Sequence, residues 1–144
     1  MNNKGQSLVL FIIIIPIMLL LIFLVYDVGN MILLKQELNN INYIAIDYGI
    51  DHLNEPNIEE NIHNIITKNK SNIDKIEINI EDNIIYIDLE SKIKNKISII
   101  KQINNFNIKS SYIGYLENNK KIIERNNRWC YEQSIRQNYY NFIC

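Results

Sequence analysis

The side chains of this 144-residue chain that are equipped for chemistry are few and far apart: His52 and His63, Cys130 and Cys144, and Ser134. The two histidines have no cysteine or converging carboxylate motif beside them. The spacing of a zinc site, H-E-x-x-H or paired C-x-x-C, is therefore missing, and they read as surface or interfacial histidines. Ser134 lacks a G-x-S-x-G setting, and no glycine loop to cradle phosphate is visible. No catalytic residue, metal ligand or cofactor site is expected. Cys130 and Cys144 admit two readings. In an oxidising compartment they form a disulfide, which closes a loop of about 15 residues and contributes about 3 kcal/mol; in a reducing one they are two free thiols. The disulfide is the expectation here. Aromatic residues gather late in the chain. Trp129, beside Cys130, reads as core, whereas Tyr139, Tyr140 and Phe142 read as a partner-facing surface. Lys92, Lys94, Lys96 and Lys101 form a basic cluster that reads as a solvated face, with contact to anionic headgroups as the alternative.

The elements that position these residues differ sharply in composition. Fifteen Lys and Arg against 16 Asp and Glu, a net charge of −1 and a pI near 6.1 leave no cationic excess for a phosphate backbone, so nucleic acid is excluded as the expected partner. The mean hydropathy of −0.12 averages two unlike pieces. Residues 8–26, LVLFIIIIPIMLLLIFLVY, carry no charge at all. As a helix they cover about 28 Å, the thickness of a bilayer's hydrocarbon core, and insertion gains on the order of 6 to 10 kcal/mol. The run is longer than the apolar core of a secretory signal, and no small-x-small cleavage site follows it, so an uncleaved anchor is expected. Lys4 and the amino terminus precede the span and Asp27 follows it. This bias places residues 1–7 in the cytoplasm and residues 27–144 outside the cell membrane. Pro16, mid-span, reads as a tolerated kink or a packing notch.

Beyond the span, Val28, Met31, Leu34, Leu38, Ile41, Ala45 and Tyr48 recur every three or four positions, so the membrane helix is predicted to continue as a stalk over residues 7–49, about 65 Å in all. Gly49 is the expected stop. The stripe is assigned to packing against the chain's own domain in preference to an intermolecular seam. Asn57 with Glu60 reads as a capping box opening a short helix through about Thr67. The period then changes to two: Ile76, Ile78 and Ile80, then Ile85, Ile87 and Leu89, predict a hairpin with one apolar face. Ile93, Ile97, Ile100 and Ile103 suggest a connecting helix, residues 108–117 a third strand, and residues 118–144 a partly helical or irregular tail. The predicted class is α+β: a long transmembrane and stalk helix packed on a small antiparallel sheet of about three strands.

The N-terminal third resembles the TadE-like minor pilins (pseudopilins) of tight-adherence pilus systems. The likeness rests on Lys4-Gly5-Gln6 ahead of the apolar run, Phe11, Pro16, Asp27-Val28-Gly29, and a following helix with Lys35-Gln36-Glu37-Leu38-Asn39-Asn40. It implies a bitopic membrane protein that initiates or supports a secreted pilus, with a prepilin peptidase cutting between Gly5 and Gln6. The implied partners are the lipid bilayer, other pilin-like subunits and the pilus assembly platform proteins. Leu10 departs from the pattern, because members usually carry a glutamate directly before the phenylalanine. Leu10, Phe11 and Pro16 are the residues expected to set packing within the membrane. The alternatives are a signal-anchored envelope protein that binds a peptide or headgroup, and an anchored hydrolase.

Overall fold

A computed structural model of the chain describes residues 4–93 and 107–126. Helix α1 runs unbroken from Lys4 to Asp51 (48 residues), through Pro16. Its outer third lies across the sheet, and a second helix, α2 (Ile58–Asn69), turns back alongside it. The sheet is an antiparallel meander of β1 (Lys75–Glu81), β2 (Ile84–Lys92), β3 (Asn107–Glu117) and β4 (Lys120–Arg125), hydrogen-bonded in chain order.

The predicted hairpin is present with its apolar residues in register: Ile76 opposite Leu89, Ile78 opposite Ile87 and Ile80 opposite Ile85. The sheet has four strands where about three were expected. Residues 120–125, assigned to the irregular tail, form β4, because Asn118 and Asn119 adopt φ of 49° and 62° and close a two-residue hairpin. Asp82 and Asn83, at 51° and 65°, close the β1–β2 hairpin in the same way. Asp and Asn tolerate this left-handed geometry, and its twist matches that of the flanking strands.

Leu38, Ile41, Ala45, Ile46 and Ile50 of α1, Ile58, Ile62 and Ile66 of α2, and Ile85, Ile87, Leu89 and Ile108 of the sheet form the core. The predicted stalk stripe packs on this core from Met31 to Tyr48, while Val28 is exposed. Gly49 does not end α1. It lies inside the last turns, where an added Cβ would stand 2.6 Å from Ile85 Cδ1 and 2.9 Å from Ile62 Cδ1, so its role is close packing of three elements. Asn57 takes the N-cap position of α2, but its side chain makes no capping hydrogen bond, so the predicted capping box does not form. Glu59 and Glu60 in the first turn instead complement the helix dipole. The predicted connecting helix lies outside the described residues.

Candidate functional site

The inner half of α1 is apolar and bare. Every residue from Val9 to Val25 apart from Pro16 is a large exposed hydrophobic, including Leu10 and Phe11. Soluble proteins do not ordinarily expose a contiguous apolar surface of this size, and the helix is long and apolar enough to cross a membrane. Gly5 and Gln6 lie in the first turns of α1, and Pro16 sits within a helix that stays continuous on both sides.

Outside the span, α1 leaves two apolar pairs uncovered, Ile32–Leu33 and Tyr43–Ile44, with the exposed Gln36, Glu37 and Asn40 on the same face between them. Ile32 and Tyr43 are eleven residues apart, as are Leu33 and Ile44, so each pair stacks on one row three turns apart. All four are exposed, Leu33 at 64% and Tyr43 at 54%. Sequence reasoning missed these pairs, because the stripe that packs on the sheet carries the stronger period. The pairing of apolar residues at eleven-residue spacing was the available signal.

α1 is tied to the sheet by polar contacts. Asn42, fully buried, donates from Nδ2 to the Ser110 carbonyl (2.9 Å) and to Ser110 Oγ (2.8 Å), and the Ser110 hydroxyl donates to Asn39 Oδ1 (2.8 Å). Lys35 donates to the Lys109 carbonyl. Burial, followed by the nearby Arg125 charge, pulls the Lys35 ammonium below its ordinary pKa. At the far end, Lys121 of β4 is held by Asp47 Oδ1 and Asp51 Oδ2, each at 2.7 Å. Its pKa is raised, chiefly by these two hydrogen bonds. None of these groups forms a reactive pair.

His52 stacks on Tyr48 (ring centroids 4.0 Å apart, 17° between planes), and its Nδ1 is 2.8 Å from the Tyr48 carbonyl oxygen at the end of α1. His63 is exposed on α2. The histidines are not brought together, and the described residues contain no His, Cys, Asp and Glu group that could hold a metal ion. Lys92 ends β2, exposed. Lys94, Lys96, Lys101, Trp129, Cys130, Ser134, Tyr139, Tyr140, Phe142 and Cys144 lie outside the described residues.

The class defined so far is an α+β chain with one long apolar N-terminal helix, consistent with a single-pass membrane protein. No family model, no curated protein and no solved structure matches it.

Proposed function

We propose that the chain is a non-catalytic, pilin-like membrane protein of TadE-like type that serves assembly or initiation of a pilus. The observation that carries this reading is the single continuous helix α1, bare along residues 9–25 and still showing Ile32, Leu33, Tyr43 and Ile44 on the outside. In a helix-on-sheet domain one apolar stripe suffices for the core. Two further uncovered apolar pairs beyond the membrane anchor, spaced by Gln36 and Asn40, are suited to lateral contact with helices of the same kind. The mechanism is association: the span packs beside similar spans in the bilayer, and the outer domain meets other pilus components. Leu10 in place of a carboxylate removes a charge whose burial in lipid costs about 3 kcal/mol and which is retained where it pairs with a neighbour's amine. This favours a subunit that remains in the membrane or ends a filament over one repeated along it.

Two measurements on the host strain test the reading. Deletion of the chain is expected to abolish sheared surface filaments, and intact-mass analysis of the membrane-extracted protein is expected to show residues 1–5 removed. Normal filaments in the deletion strain overturn the proposal, whereas a retained leader corrects only the processing step.

A further inference from the structure

Among the described residues, strand β1 is an edge of the sheet, hydrogen-bonded to β2 on one side. Half of an edge strand's N–H and C=O groups point away from the sheet and form a template for another strand. Along the open side of β1 runs a groove whose floor is the row Ile76, Ile78 and Ile80, and whose far wall is the start of α2 with Pro56, Glu59 and His63. These three isoleucines face the core side yet stay partly exposed, because α2 does not close over them. The opposite face of β1 shows Glu77, Asn79 and Glu81 to solvent. Lys75, the one cation of the strand, is engaged by Glu77 at 2.6 Å.

An edge strand beside an apolar groove with a helix as its far wall is the geometry of recognition by strand addition, in which main-chain hydrogen bonds supply affinity and alternate side chains supply specificity. The chemistry of both faces is fixed here. Side chains of an added strand that point to the core side meet Ile76, Ile78, Ile80 and the wall of α2, and are favoured if apolar. Those on the other face stand beside Glu77 and Glu81, where opposite charge is favoured and like charge penalised. Glu59 and Glu60, exposed at the start of α2, stand at the lip of the core-side wall, so the charge selection rests on Glu77 and Glu81.

We propose that β1 and α2 form a docking groove for an extended segment of a partner protein that alternates apolar residues with Lys or Arg, and that this segment adds to the sheet as a fifth strand beside β1. This goes beyond the pilus reading and holds for any anchored protein with this domain.

The test uses the full chain in phosphatidylcholine nanodiscs and follows amide hydrogen exchange along β1. The probe is an acetylated peptide of alternating lysine and isoleucine, long enough to lie along the strand. At ten times its dissociation constant it is expected to slow exchange of the outward amides of residues 76–81 about tenfold. The same peptide with alternate backbone nitrogens methylated is expected to give no protection, because it keeps every side chain and loses the strand pairing. A glutamate and isoleucine peptide is expected to fail as well, and the E77K/E81K variant, reversed on the face that meets the lysines, to weaken the lysine peptide. Absence of protection, or equal protection by the methylated peptide, overturns the proposal. Protection that rises with protein concentration and needs no peptide also overturns it, in favour of a second copy as the occupant.

Discussion

Gly114 sits where α1 crosses β3. A Cβ placed there would stand 2.0 Å from Ile46 Cγ2 and 3.2 Å from Ile50 Cδ1, far inside contact distance. Ile46 is β-branched and fully buried in a helix, so its methyl has no free rotamer to retreat to. Gly114→Ala is therefore expected to destabilise the domain by about 1 to 3 kcal/mol through overpacking, read as a lower denaturant midpoint. Ile46→Ala removes the clashing methyl, so the double variant is expected to lose less than the sum of the singles; strict additivity contradicts a direct clash. Asp88, on the outer face of β2, supplies a pH dependence. Burial raises its pKa above the ordinary 3.8, Ser111 beside it lowers it, Glu77 across the strand pair raises it, and Lys109 and Lys75 lower it by smaller amounts. A carboxyl with a raised folded pKa costs stability wherever it is ionised in both states, and the cost fades as pH falls through the folded value to below the unfolded one. Asp88→Asn is thus expected to raise the denaturation midpoint at neutral pH and to lose that advantage below about pH 3.8. An advantage unchanged by pH points to packing instead of charge.

Among the elements, those with an uninterrupted period were legible in the sequence. Ile76, Ile78 and Ile80 alternate cleanly and lie in register with Leu89, Ile87 and Ile85. The stalk stripe led to the correct buried face from Met31 outward. Strand β4 was not legible because Ile122 and Ile123 are adjacent: Ile123 pairs with Gly114 on the core face and Ile122 with Tyr115 on the other, so the six residues show no alternation. Its turn, Asn118-Asn119, was the clue, and it was lost in a chain rich in asparagine. Gly49 was misread because a late helical glycine is more often a terminator than a packing notch, and only the approach of Ile62 and Ile85 distinguishes the two. The groove beside β1 was hidden for a related reason. Periodicity gives the face on which Ile76, Ile78 and Ile80 lie, whereas the position of α2 decides how much of that face is covered.

For the molecule as a whole, the question is what α1 meets on its uncovered side. Helices that pack side by side bring their axes to about 8 to 10 Å. At that spacing, equivalent positions facing each other come within reach of a short bismaleimide. Lateral association of copies through this outer face of α1 predicts that single cysteines at Ile32 and Tyr43, placed in a chain with Cys130→Ser and Cys144→Ser, cross-link into dimers in intact membranes. Both positions lie on the same row of α1 three turns apart, so a parallel, unstaggered pair brings both into contact. A cysteine at Glu59, exposed on α2 away from this row, is expected to stay monomeric under the same treatment. Cross-linking at position 32 without position 43 describes helices that meet near the membrane and splay apart above it. Cross-linking at position 59 as readily as at positions 32 and 43 reflects random collision and removes the support for a lateral interface.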